Sequence, residues 1–277
     1  MIRETIINEL VGRGYKAEGM DMTKNGVVKQ AIVIRSEDTN CVPTVYIDNL
    51  INAINEKKMT LADAADYIIK LTEENKVNVD TNEISSRDYI LEHVFIGLQK
   101  TSDEDIVKCD TDFEGIEKYL HVKTNVGGVE GSYKLTKKIL ASAGICEAEV
   151  WDSAEIHTKE DSTITSMAKM ISEMMGIECT EDMQNGSDSM MYVITNKDKY
   201  KGASAVLNKP MLAELAKKYD TDKLIVLPSS VHEMIVIPYG SVPMNVEELT
   251  RMVEEINASQ VNPEERLTDR AYILNVA

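Results

Sequence analysis

Residues 228–233 read Pro-Ser-Ser-Val-His-Glu. Ser229 and Ser230 carry hydroxyls, His232 is a general base at neutral pH, and Glu233 is a carboxylate that could orient it. A serine hydrolase needs that set, with the imidazole within hydrogen-bond reach of the hydroxyl and oxyanion donors nearby. Close sequence neighbours assemble such a geometry poorly. In extended chain, Ser230 and His232 leave the same face with Cα atoms about 6–7 Å apart, and Glu233 leaves the other face. No G-x-S-x-G elbow surrounds the serines. The flanking runs, LIVL at 224–227 and MIVIP at 234–238, have the length of strands. A proline and two serines between them suit a hairpin connection, because proline ends a strand and serine hydroxyls bond the local backbone. The favoured reading is a turn that acts through shape and local hydrogen bonds. A hydrolase using Ser229 or Ser230 with His232 is the alternative.

Other chemistry-bearing stretches are weaker. DTDFEG at 110–115 opens like a calcium loop, but its twelfth position is His121 where a bidentate glutamate is required, so it reads as a polar turn. NVGGVEG at 125–131 lacks the lysine and hydroxyl of a phosphate loop and reads as the turn of a hairpin. His93, His121 and His157 lie far apart, and Cys41, Cys109, Cys146 and Cys179 form no C-x-x-C pair. No metal site and no cofactor is expected, and all four thiols are expected free.

The chain has 277 residues, a 43% hydrophobic share and a formal net charge of −17. Residues 101–200 alone contribute −10. Such a surface repels phosphate backbones, which argues against direct nucleic-acid binding and leaves open an acidic decoy of a nucleic-acid-binding protein. No apolar run reaches the length of a membrane span. The first fifteen residues, MIRETIINELVGRGY, are too interrupted by charge for a signal peptide, so a cytoplasmic setting is expected. Fifteen methionines against two phenylalanines is unusual, and Met167, Met170, Met174 and Met175 sit together.

The elements that must position these residues follow from periodicity. Strands are predicted at 26–36, 43–47, 114–124, 132–135, 190–195, 203–207, 224–227 and 234–238. Helices are predicted from Ile47 to Ile54, from a capping box at Thr60 and Asp63, over 86–100, through Leu140 to Val150, over 163–175, from Asn208 with Pro210 in the first turn, and from Asn245 with Glu248. Adjacent strand pairs with helices between them indicate an α+β fold with antiparallel sheets built from strand-strand-helix units. From about residue 190 onward one antiparallel sheet with helices on one face is expected. The polar stretch 101–106 suggests two domains, 1–105 and 106–277.

MYVITNKDKYKGASAVL, LIVLPSSVHEMIVIP and the C-terminal MVEEINASQVNPEERLTDRAYIL together resemble a family of gut Clostridia described as domain of unknown function 5688. The N-terminal KNGVVKQAIVI and PTVYIDNLI are also similar to it. The resemblance is sharpest at Asn196, Lys197, Gly202, Pro228 to Glu233, Asn257, Gln260 and Val261. It implies a bacterial cytoplasmic setting and no particular activity. The expectation is a non-catalytic binding or regulatory module, with Asn196, Lys197, Gly202, Ser230 and His232 as ligand- or partner-contacting residues.

Overall fold

The computed structural model describes residues 2–177 and 190–276. The chain forms two compact units, Met1–Ser86 with Lys123–Ser132, and Arg87–Val122 with Tyr133–Ala277. Residues 87–105 therefore belong to the second unit.

In the first unit, strands β1 (Lys16–Lys24), β2 (Val27–Arg35) and β3 (Val45–Tyr46) make an antiparallel sheet in that order. Asn25 and Gly26 join β1 to β2 with φ of 49° and 78°, the pair of left-handed residues that a tight hairpin needs. Helices Ile2–Gly12, Asp48–Asn55, Leu61–Asn75 and Thr81–Ile84 complete the unit. Ile6, Leu10, Ile32, Ile34, Ile47 and Ile68 fill its core. The capping box at Thr60 is formed in both directions, and the Thr60 hydroxyl and N–H hold the Asp63 carboxyl below its ordinary range. The hairpin of β6 (Ile116–Val126) and β7 (Val129–Lys134) turns at Gly127 and Gly128, both with positive φ.

The second unit contains two antiparallel sheets. One holds β4 (Val94–Lys100), β6 and β5 (Lys108–Asp110), with β7 on β6. The other is five-stranded, in the order β12 (Tyr272–Asn275), β10 (Lys223–Pro228), β11 (Met234–Pro238), β9 (Tyr192–Asn196) and β8 (Ser162–Ser166). The α+β class expected from the sequence is the one found. LIVL and MIVIP pair as the two arms of one hairpin, with Leu224 opposite Pro238 and Pro228 opposite Met234.

Four expectations need correction. Helices cover both faces of the large sheet, not one. Leu224 and Val226 pack with Leu212, Leu215 and Ala216 of helix Lys209–Lys218, while Ile225 and Leu227 pack with Leu249 and Val253 of helix Val246–Gln260. The unbroken apolar runs are the signature of that double burial, since a half-exposed strand would alternate. Residues 203–207 are not a strand: Gly202–Leu207 is a 3-10 helix whose small residues Ala203, Ser204 and Ala205 are fully buried. The predicted helix at 86–100 stops at His93, and Val94–Lys100 is β4, where valine, phenylalanine and isoleucine favour extended chain. The helix predicted over 163–175 begins only at Met167, capped by the Ser166 hydroxyl, because Ser162–Ser166, with β-branched Thr163, Ile164 and Thr165 at its centre, pairs with β9 instead.

Leu224→Ala and Leu227→Ala are each expected to cost about 2–5 kcal/mol, the usual range for a buried leucine. Urea midpoints measure this, and a near-neutral result at either position would mean that its face of the sheet is not covered.

Candidate functional site

The Ser229–Glu233 connection is held as a tight turn. The Ser230 N–H donates to the Glu233 carbonyl at 3.1 Å, and the His232 N–H donates to the Ser230 hydroxyl at 3.0 Å. The Ser229 hydroxyl donates to the Glu233 carboxylate at 3.5 Å. Among the described residues neither serine is hydrogen-bonded to the imidazole. His232 Nδ1 accepts the Lys201 N–H at 3.1 Å, which in the neutral ring leaves the proton on Nε2. Nε2 lies 3.5 Å from Glu265 Oε1. The carboxylate facing the histidine is therefore Glu265, not Glu233, and the base nitrogen that a serine would use is already engaged.

Three segments meet at this turn. The Val231 N–H donates to the Glu265 carbonyl at 2.8 Å, and the Ala203 N–H donates to the Val231 carbonyl at 3.3 Å. The Thr195 hydroxyl donates to the His232 carbonyl at 2.7 Å. Asn196 is buried and bonds both polar groups of Tyr200, accepting from its N–H at 3.1 Å and donating to its carbonyl at 2.9 Å. That clamp closes the loop 197–201, in which Lys199 and Lys201 both take left-handed φ of 54°. The Lys197 N–H is tied to the Asp161 carbonyl, and the Tyr200 ring lies against His232 at a tilt of 38°, with ring centroids 5.1 Å apart. Gly202 closes the knot: a Cβ there would come within 2.3 Å of the Thr195 hydroxyl and 2.4 Å of the Asn196 backbone nitrogen. The structure thus brings Asn196, Gly202, Ser230 and His232 into one assembly and leaves the Lys197 side chain exposed. Asn257 lies apart, donating to the Thr268 carbonyl and the Asp269 carboxylate.

A second constellation escaped the sequence reading. The β6 register places Glu117, Tyr119 and His121 on one face of the small sheet, opposite Gln99, Gly97 and Phe95 of β4. Glu117 is buried and accepts hydrogen bonds from Gln99 Nε2 and the Ser102 hydroxyl, both at 2.8 Å, with Lys108 Nζ at 3.2 Å. Burial alone would raise its carboxyl; those three donors outweigh burial and hold it below the ordinary range. Lys134 bridges Gln99 Oε1 and Glu104 and stands over the Tyr119 ring. Tyr119 lies across Gly97, where any Cβ would strike its ring, and burial pushes the phenol well above its ordinary value. The available signal was the spacing i, i+2, i+4 of Glu117, Tyr119 and His121 within a strand already recognised as one.

The acidic turn at 110–115 is used structurally. The Thr111 hydroxyl donates to the Ile116 carbonyl at 2.7 Å, the Glu114 carbonyl accepts from the Tyr272 hydroxyl at 2.6 Å, and the Glu114 carboxylate pairs with Arg270. Among the described residues no group of three histidines, cysteines or carboxylates is disposed to hold a metal ion.

Gly202→Ala is expected to destabilise the protein by about 1–3 kcal/mol, as overpacking does, because the colliding groups include backbone. Thermal unfolding measures it, and an unchanged midpoint would mean that the 196–202 loop adapts freely. Glu117→Gln is expected to cost about 1–3 kcal/mol near neutral pH, since donors to the charged form lose their partner. A depressed carboxyl contributes stability above its unfolded value of about 4.3, and that contribution is lost as the pH falls through the folded value. The difference between wild type and Glu117→Gln should therefore shrink on acidification toward about pH 3, and a difference that grew would reverse the assigned sign.

No curated protein and no solved structure matches the chain. A family model matches residues 2–275, which span both compact units and every residue of the turn, the loop and the polar face. The chain belongs to the family of unknown function DUF5688.

Proposed function

We propose that the protein is a non-catalytic binding module of the bacterial cytoplasm that meets its partner through the loop 197–201, backed by the turn 229–233. The observation that carries this reading is the engagement of His232. Its acceptor nitrogen takes the Lys201 N–H, and its other nitrogen faces Glu265. A serine hydrolase would have to break that contact before Ser229 or Ser230 could be activated. The same histidine instead shapes an exposed loop.

The loop has the properties of a presented surface. Tyr200 is 54% exposed between two lysines, and tyrosine gives large contact area at low entropic cost. Two non-glycine residues in left-handed conformation carry strain, which persists only where surrounding contacts enforce it. Here the Asn196 clamp, the Gly202 contact and His232 do so. The cytoplasmic setting is supported by exposed free thiols at Cys41, Cys109 and Cys146, which suit a reducing compartment; Cys179 lies outside the described residues. Among the described residues no helix is long and apolar enough to cross a membrane.

A fluorophosphonate probe is expected to leave Ser229 and Ser230 unlabelled, and replacing both by alanine should cost only about 0.5–2 kcal/mol of stability through lost turn hydrogen bonds. Stoichiometric labelling at either serine, abolished by His232→Ala, would overturn the reading in favour of a hydrolase. A partner captured from bacterial lysate by wild type should be lost with Tyr200→Ala while the unfolding midpoint stays put.

A further inference from the structure

We infer that the protein self-associates through the outer edge of β8, two copies pairing Ser162–Ser166 antiparallel about a two-fold axis at Ile164. This interface is separate from the partner surface read at the 197–201 loop. β8 is an end strand of the five-stranded sheet and is hydrogen-bonded to β9 alone among the described residues. An end strand offers a row of backbone donors and acceptors, and proteins block such rows with charge, proline or a cover. From Ser162 to Ser166 there is no charge, no proline and no glycine, and every residue is partly open to solvent.

The register fixes which backbone groups face outward. The Met167 N–H donates to the Met191 carbonyl at 2.8 Å, and the Lys197 N–H donates to the Asp161 carbonyl at 3.1 Å. Residues of an antiparallel ladder alternate in this respect, so Thr163 and Thr165 direct their backbone groups at β9, and Ser162, Ile164 and Ser166 direct theirs outward. Two of the outward groups are already used. The Ser162 N–H donates to the Lys159 carbonyl, and the Ser166 carbonyl opens helix Met167–Met175 as that of its N-cap residue. Both groups of Ile164, the Ser162 carbonyl and the Ser166 N–H remain.

A second copy matches that remainder. With Ile164 opposite the partner's Ile164, the two isoleucines exchange both bonds, and each Ser166 N–H meets the carbonyl of the partner's Ser162. An uninterrupted ladder would add a bond from the Ser162 N–H to the Ser166 carbonyl, and those are the two groups engaged within their own chain. The side chains agree. Ser-Thr-Ile-Thr-Ser reads the same in both directions, so serine faces serine, isoleucine faces isoleucine, and Thr163 faces the partner's Thr165, a pair of the kind that stabilises sheets. Such self-complementarity is what a two-fold interface requires, and an unrelated extended peptide would gain nothing from it. β12, the other end strand of the sheet, reads Tyr-Ile-Leu-Asn and lacks it.

Charge and apolar surface beyond the strand point the same way. Glu160 and Asp161 precede β8 and Lys169 follows it, so the antiparallel arrangement brings the acidic end of each copy to the basic end of the other. Ile164 packs on the core that contains Ile194 and Ala203, and the pairing continues that core across the axis. Helix Met167–Met175, which leaves the same strand, has Met174 82% and Met175 67% exposed, and methionine adapts to a partner surface. The pairing joins two five-stranded sheets into one continuous sheet.

Sedimentation velocity of the full chain over roughly 1–100 μM tests this, with a dimer expected. The double variants Thr163→Lys/Thr165→Lys and Thr163→Glu/Thr165→Glu each place like charges opposite one another across the axis. Each alone should sediment as a folded monomer, and an equimolar mixture of the two should recover the dimer. If the charged variants fail to fold, hydrogen exchange of wild type decides. The Ile164 and Ser166 amides should gain at least about tenfold protection from the dilute to the concentrated sample, and unchanged protection overturns the inference. A wild type that stays monomeric at about 100 μM also overturns it, even if it then binds a synthetic peptide carrying Ser162–Ser166, and so does a dimer that persists in both charged variants. Partner capture through Tyr200 and fluorophosphonate labelling of Ser229 and Ser230 are independent of these outcomes, so loss of one reading leaves the other standing.

Discussion

Strand β10 is hydrogen-bonded along both edges, to β11 and to β12, and buried on both faces. No side chain from Leu224 to Pro228 is left to solvent, so every residue of it is constrained by something on each side. A register slip of one residue would exchange the two faces, placing Leu224 and Val226 against the helix that now holds Ile225 and Leu227. The hairpin to β11 therefore has one permitted register, and the turn at its end is delivered to one place. The knot of Thr195, Gly202, Val231 and Glu265 is built on that fixed point.

The small sheet is organised by the opposite logic. One face of β4 and β6 is apolar, with Val94, Ile96, Leu98, Leu120 and Val122 in the cores of the second unit. The other face carries Gln99, Glu117, Tyr119 and His121, all buried. Buried polar groups are costly unless their partners are supplied, and for Gln99 and Glu117 the loop from Ser102 to Lys108 and the end of β7 supply them. The loop is thereby pinned by the charges it carries. Glycine at position 97 is the steric counterpart, since the tyrosine ring fills the space its side chain would have used.

What could be seen in the sequence was whatever leaves a local mark. The capping boxes at Thr60 with Asp63 and at Asn245 with Glu248 are local, and both form. The proline in the first turn after Asn208 and the double-glycine hairpin at 127–128 are local too. The turn nature of PSSVHE was readable from its flanks, but the carboxylate that His232 faces was not, because Glu265 is distant in the chain and only the packing of the 261–268 segment brings it near. The 3-10 helix at Gly202–Leu207 was mistaken for a strand because a short buried run of small apolar residues has no period to read. The end of the helix at His93 was missed for a related reason: Ile90 and Val94 are both buried, and their spacing of four reads as one helix face although the strand begins at Val94.

Strand β1 left no mark at all. It is a nine-residue end strand of its sheet, yet its residues KAEGMDMTK show almost no apolar alternation and are mostly exposed. A long, flat terminal strand offers a row of backbone donors and acceptors to any other extended chain. Lys16, Glu18, Asp21 and Lys24 place charge of both signs along that row, and an incoming strand would have to strip water from each of them. Arg35 and Arg3 already answer Glu18 and Asp21 from within the unit, so the charges are anchored where they obstruct. The composition that hides β1 from a hydrophobic pattern is thus also its protection against templating aggregates, and substitutions that made it easier to recognise as a strand would make the protein harder to keep in solution.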